Sequence, residues 1–206
     1  SMIKKGTRNS VMQGVLWMVF ATGLQATASG LVRKLSSNIG VFQLLFFFSL
    51  ISVILLLPVA IRLSPNAFKS VRDRLGLYSV RGILSFVGML TSFYAFSVLE
   101  IANVQSLLFT APLFTILLAN FILKEFVGFR GWLCCIIGFF GALIIIRPGV
   151  IPLNPGSLAA LLSALVFAAA NIAIRKLGRT ESPMMITLVS NLIVMPLAGF
   201  PAALNW

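Results

Sequence analysis

Seven apolar stretches follow one another with short connections: about Ser10 to Val32, Ile39 to Ile61, Leu77 to Val98, Ile101 to Leu123, Val127 to Ile146, Leu158 to Ile174, and Met184 to Leu204. Most are near the roughly 20 residues a helix needs to cross the hydrocarbon of a bilayer. Inside lipid a chain segment must satisfy its own N–H and C=O groups, which restricts each stretch to helix. Breakers sit between them, as in Ser64-Pro65-Asn66, Arg147-Pro148-Gly149 and Asn154-Pro155-Gly156. The pattern predicts an all-α integral membrane protein, a multi-helix transmembrane bundle. With 59% hydrophobic residues and a mean hydropathy of +1.05, the chain carries more apolar surface than a water-soluble domain of 206 residues can bury.

Sixteen Lys and Arg against four Asp and Glu give a net charge of +12. In a soluble protein that would suggest nucleic acid. Here the cations lie between apolar runs, where cytoplasmic loops of membrane proteins concentrate them, so a nucleic-acid partner is not expected. If the amino terminus is cytoplasmic, twelve cations fall inside: Lys4, Lys5 and Arg8, then Arg62, Lys69, Arg72 and Arg74, then Lys124 and Arg130, then Arg175, Lys176 and Arg179. Three fall outside, Arg33, Lys34 and Arg147, and Arg81 is left near the cytoplasmic end of the third run. This bias predicts a cytoplasmic amino terminus and opposes a seven-helix receptor, which has the reverse orientation. Ala26-Thr27-Ala28 has the small-x-small shape of a cleavage site, but a similar small-residue triplet recurs at Ala168 to Ala170 in mid-chain, so the first helix is expected to be retained.

An internal repeat orders these runs. At an offset of 142 residues, Gly156 falls on Gly14 and Arg175-Lys176-Leu177 on Arg33-Lys34-Leu35, with small, apolar residues between the anchors in both copies. Five helices separate the copies, and an odd number reverses direction. Inverted repeats of this kind are the sequence sign of a transporter whose site lies near the midplane, where the repeats meet.

Polar groups in hydrocarbon are costly, so those that occur there are the site candidates. In the fourth run Gln105, Phe109, Pro112, Ile116 and Asn120 recur at three- and four-residue steps. Pro112 removes a backbone donor and frees a carbonyl, and the pathway is expected beside it. The third run places Arg81, Ser85, Gly88, Ser92 and Ala95 on one face, and Arg81 either snorkels to lipid phosphates or attracts an anionic or zwitterionic solute. The fifth run carries Gly131, Cys134, Gly138 and Gly141, a spacing that predicts close helix packing. In the first run Met18, Ala21, Gln25 and Ala28 share a face, with Trp17 as an aromatic wall. The repeat partners of Ala21, Gln25 and Ser29 are Ser163, Phe167 and Asn171. The expected substrate-binding set is therefore Trp17, Gln25, Arg81, Ser85, Gln105, Phe109, Pro112, Asn120, Ser163, Phe167 and Asn171.

What is missing narrows the mechanism. Asp73, Glu100, Glu125 and Glu181 all fall in loops or at helix ends. That disfavours an intramembrane aspartyl protease, a pump with a buried acid, and a small multidrug exporter relying on a first-helix Glu. There is no His, and the adjacent Cys134 and Cys135 suit packing better than a disulfide or metal site. No cofactor, metal or enzymatic activity is expected, which leaves facilitated diffusion or exchange by alternating access.

The chain resembles the EamA-type drug/metabolite transporters. The resemblance rests on Arg81-Gly82 with Gly88 and Tyr94-Ala95, on Ala111-Pro112-Leu113-Phe114, and on Lys124-Glu125, Arg130, Gly138, Gly141 and Arg147-Pro148-Gly149. It implies ten helices in two inverted five-helix repeats, of which seven are present: a whole first repeat at residues 10–148 and the first two helices of a second at 156–206. Many relatives carry an acid and then an arginine in the second helix, where this chain has Gln43 and Phe48. The expectation is a multi-pass carrier of small organic metabolites in the bacterial inner membrane, amino acids or related zwitterions foremost, as exporter or exchanger. The alternative is a truncated, non-transporting paralogue with a structural or partner-binding role. Beyond the lipid bilayer and a metabolite, the expected partners are three further helices or a second copy of the chain, because seven helices leave one side of the cavity unwalled.

Overall fold

A computed structural model describes residues 2–63, 71–123, 128–146, 154–178 and 182–204, without the side chains of 2–11 and of a few helix positions including Arg130, Cys134 and Cys135. The connections Ser64-Pro65-Asn66 and Arg147-Pro148-Gly149, together with Lys69, Lys124, Glu125, Arg179 and Glu181, lie outside the described residues, as do the side chains of Lys4, Lys5 and Arg8. The described elements are helical: α1 (Met2–Leu35), α2 (Val41–Leu63), α3 (Leu75–Val98), α4 (Ile101–Leu108), α5 (Ala111–Leu118) running into a π-helical turn (Ala119–Leu123), α6 (Phe129–Ile146), α7 (Pro155–Leu177) and α8 (Pro183–Leu204).

Among the described residues, six segments are long and apolar enough to cross a membrane: Met12–Leu35, Val41–Arg62, Leu75–Val98, Ile101–Ile122, Pro155–Leu177 and Pro183–Leu204. The expected seventh, from Val127, is helical as the 18-residue α6, but its described apolar stretch Gly131–Gly141 is shorter than a span.

Several boundaries follow from local chemistry. The amide N–H of Gly40, just ahead of α2, donates to Gln43 Oε1 at 3.2 Å, half of a capping box, so the glutamine that replaces the acid of many relatives holds a helix start. Asn154-Pro155-Gly156 is not a loop but the opening of α7: Asn154 Oδ1 accepts from the Ser157 amide at 2.8 Å, and Pro155 occupies the first turn, where its missing N–H costs nothing. The fourth run is not one helix. Pro112 offers no N–H to the carbonyl of Leu108, and the chain breaks at Phe109 and Thr110 before α5 begins. The π-helical turn after α5 shifts the phase again.

Helix α3 is the hub, packed most extensively on α7 and also on α8, while α2 pairs with α8. Small residues permit the approach. A Cβ added at Gly82 would lie 2.6–2.8 Å from three atoms of Ile193 on α8, and one at Gly88 would lie 3.0–3.4 Å from the Phe167 ring on α7. Ser163 Oγ donates to the Gly88 carbonyl at 2.9 Å across the same crossing. At α6, where the spacing predicts the same, no described atom lies within 4 Å of the Cβ positions of Gly138 and Gly141.

Three apolar clusters hold the bundle. One joins Ala60, Tyr78, Leu177 and Met185, the ends of α2 and α7 with the beginnings of α3 and α8. A second joins Phe96, Leu99, Val104 and Ala160, with Val32 against it, so the end of α1 lies with the end of α3 and the beginning of α7. Helices α1 and α7 therefore run in opposite directions. The third, Leu45, Val194 and Ala198 with Phe86 and Phe93, fills the space between α2, α3 and α8.

Arg33 ties α1 to α3. Its Nη1 donates to the carbonyls of Leu99 and, at 3.3 Å, Phe96, placing a cation on the negative end of the α3 dipole. Arg33→Ala is expected to cost about 1–3 kcal/mol, read as a lower thermal midpoint in detergent, with Arg33→Lys retaining part of it. An unchanged midpoint would mean the contact contributes nothing.

Candidate functional site

Polar residues collect in one place, between the apolar clusters. Reading along α3, Tyr78 belongs to the first cluster, Arg81, Ser85, Met89, Ser92 and Phe93 line a cavity of about 340 Å³, and Leu99 belongs to the second cluster. Along α7 the order is Ala160, then Phe167 on the cavity, then Leu177. Along α8, Met185 is followed by Thr187, Ser190 and Asn191 on the cavity, then by Val194. Helix α1 contributes Gln25, Ala28, Ser29 and Val32, a single stripe at helical spacing, while α2 contributes Phe48 and α4 contributes Gln105 and Leu108.

The lining has two chemical characters. On α3, Arg81 Nη1 donates to Ser85 Oγ, which in turn donates to the Arg81 carbonyl at 2.8 Å. Arg81 Nε is buried without a hydrogen-bond partner. Arg81 is the only ionised side chain among the described lining residues. On α8 the hydroxyl protons are already committed to the helix itself, Thr187 Oγ1 donating to the Pro183 carbonyl at 2.9 Å and Ser190 Oγ to the Ile186 carbonyl at 2.7 Å. Asn191 Nδ2 donates one of its two N–H groups to the Thr187 carbonyl at 3.0 Å, so the two hydroxyls are left with oxygen acceptors and Asn191 with Oδ1 and one N–H. Aromatic rings form part of the wall, with Phe48 edge-on to Phe93 at 6.1 Å and Phe167 seated on Gly88.

Of the residues expected from sequence, Gln25, Arg81, Ser85, Gln105 and Phe167 line this cavity together. The others lie elsewhere. Trp17 is 71% exposed on α1, edge-on to Phe20 at 6.3 Å, in a stretch of α1 that the described residues leave almost wholly unburied. Phe109, Pro112 and Asn120 are exposed, since the break at Phe109 and the π-helical turn destroy the constant phase that would have kept them on the face of Gln105. Asn171 is exposed, and Ser163 is spent on the α3–α7 crossing rather than on the cavity. The polar run Thr187, Ser190 and Asn191 went unselected, although the cost of polar groups in hydrocarbon singles it out as clearly as it does Gln105. Phe48, which stands where many relatives have an arginine, is part of the wall.

Comparison with known proteins agrees with this architecture. The chain is 28% identical over 195 residues to the S-adenosylmethionine uptake transporter of Rickettsia prowazekii, covering 95% of this chain and 65% of that protein. It is 26% identical over 199 residues to the riboflavin transporter of Vibrio cholerae, covering 95% and 66% respectively. To the pseudopaline exporter of Pseudomonas aeruginosa it is 27% identical over 189 residues, covering 89% and 66%. The chain thus spans about 65% of the length of the curated relatives it matches. No solved structure matches it. The profile of the EamA-like transporter family matches residues 12–147, from the apolar part of α1 through the end of α6, and the chain belongs to that family, within the drug/metabolite transporter superfamily.

Proposed function

We propose that the protein is a carrier that moves small organic metabolites, amino acids or related zwitterions, across the bacterial inner membrane by alternating access, as exporter or exchanger. The observation that carries this reading is the cavity: a partly polar chamber of about 340 Å³ inside an apolar bundle, with hydrophobic clusters beyond it along the helix axes. A solute held there lies between two apolar clusters and passes when one of them separates. Residues 10–148 form the first repeat in this reading, and 156–206 begin a second, inverted one. The opposite directions of α1 and α7 support it. The excess of cations supports a cytoplasmic amino terminus, and in this reading the cluster around Tyr78 and Leu177 lies on the same side. That cluster is then the inner seal, and its separation admits solute to the cytoplasm.

Relatives named for uptake of S-adenosylmethionine, for riboflavin and for export of pseudopaline support a small-metabolite cargo. They differ among themselves in substrate and direction, so the cargo class rests on the cavity's chemistry.

Counterflow in proteoliposomes tests the function. Vesicles loaded with unlabelled amino acid are expected to accumulate the same labelled amino acid above protein-free vesicles, for at least one member of the twenty. If no amino acid, S-adenosylmethionine or riboflavin accumulates with the full-length protein, the carrier reading fails. A structural or partner-binding role would then be the better account.

A further inference from the structure

We infer that the cavity is a two-pole site for zwitterions, in which α3 holds the carboxylate through Arg81 and α8 holds the ammonium through the oxygens of Thr187, Ser190 and Asn191. This rests on the carrier reading and specifies which group each half of the protein recognises.

The donor pole follows from where Arg81 points. An arginine near a membrane end ordinarily extends back toward that end to reach phosphates and water. Here the guanidinium reaches the other way, to Ser85, one turn farther along α3 and away from Arg72 and Arg74. It therefore lies on the cavity, with Nε buried and unpartnered and no carboxylate among the described lining residues to neutralise it. A buried, unneutralised guanidinium is costly, and its planar fork suits a carboxylate that arrives with the solute.

The acceptor pole follows from how the protons on α8 are used. Thr187, Ser190 and Asn191 each spend a donor on a carbonyl of their own helix. The two hydroxyl oxygens and Asn191 Oδ1 remain as acceptors, beside one N–H of Asn191, and an ammonium has three donors and no acceptor. The two poles are neighbours, because Gly82 and Ile193 meet at the α3–α8 contact, one residue from Arg81 and two from Asn191. Since α3 and α8 fall in different repeats, a bound zwitterion bridges the parts that alternating access must move. An anion alone, or an amine alone, engages one side.

The test uses full-length protein in vesicles of phosphatidylcholine and phosphatidylglycerol. They are loaded with an equimolar mixture of the twenty amino acids, their carboxamides and their deaminated carboxylic acids, and release is read by mass spectrometry. At least one amino acid is expected to leave tenfold or more faster than both of its analogues. Arg81→Gln is expected to erase the preference over the carboxamide at least tenfold while Arg81→Lys keeps part of it, and Asn191→Leu to erase the preference over the deaminated acid. Because each readout is a ratio between compounds in the same vesicles, a loss of folded protein alone does not produce it. Carboxamides or deaminated acids leaving as fast as amino acids, or ratios untouched by both substitutions, would overturn the two-pole site and leave the carrier standing. Release of no compound would overturn both.

Discussion

Gly82→Leu is expected to lower the thermal unfolding midpoint of the detergent-solubilised protein by about 5–10 °C, the largest stability effect of any single substitution proposed for this bundle. The contact is with Ile193, and it involves Cβ at 2.8 Å as well as the terminal Cδ1 at 2.6 Å. A branch point beside the backbone cannot swing aside as a chain end can, so α3 and α8 must move apart. A size exchange checks the cause. Gly82→Ala combined with Ile193→Ala should cost less than the sum of the two single changes, because the new methyl group occupies space the shortened side chain vacates. Strict additivity would show that these residues do not meet.

Gly88→Leu is expected to act on the site instead. The obstacle there is the Phe167 ring, 3.0 to 3.4 Å from the position of a new Cβ. A ring on the edge of a cavity has somewhere to go. Displaced into the chamber of about 340 Å³, it occupies the space meant for solute. Counterflow should fall at least tenfold, with a smaller drop in midpoint than Gly82→Leu produces. Gly88→Ala should leave both nearly unchanged, since a few tenths of an ångström of ring movement accommodate a methyl group. If Gly88→Leu carries solute normally, Phe167 does not border the path.

The contrast between these two glycines illustrates what could be read in advance. Gly88 belongs to the small-residue face of α3 that the spacing of Arg81, Ser85, Gly88 and Ser92 marks, whereas Gly82, the residue after Arg81, lies about 100° off that face; both bring helices together. Nothing in the spacing tells that one meets a fixed branch point and the other a movable ring. The same spacing in α6 predicts a contact at Gly138 and Gly141, and no described atom lies within 4 Å of a Cβ there; periodicity shows that a helix could be approached closely, not what approaches it.

Five of the eleven expected site residues line one cavity, and the reasons the others do not are specific. Phe109, Pro112 and Asn120 were placed by assuming a constant 100° step, and the proline chosen as evidence for the pathway is the residue that interrupts that step. Trp17 and Asn171 are on helices that do reach the cavity, but at positions facing elsewhere. Gln43 reads as a lost charge when compared with relatives. Its physical role, accepting from the Gly40 amide at the start of α2, is a capping contact that its position three residues into the helix would have allowed.

Helical membrane architecture and the succession of apolar segments follow from local properties: apolar length and the cost of polar groups in lipid. Those properties belong to residues taken one segment at a time. Which faces converge is a matter of helix phase and approach, and both depend on contacts between segments far apart in the chain. Glycines beneath Ile193 and Phe167 let α3 approach α8 and α7, and Arg81 and Asn191 come to line one cavity. The pairing across the bundle has no trace in either segment alone, because the energy that selects it exists only once the helices touch.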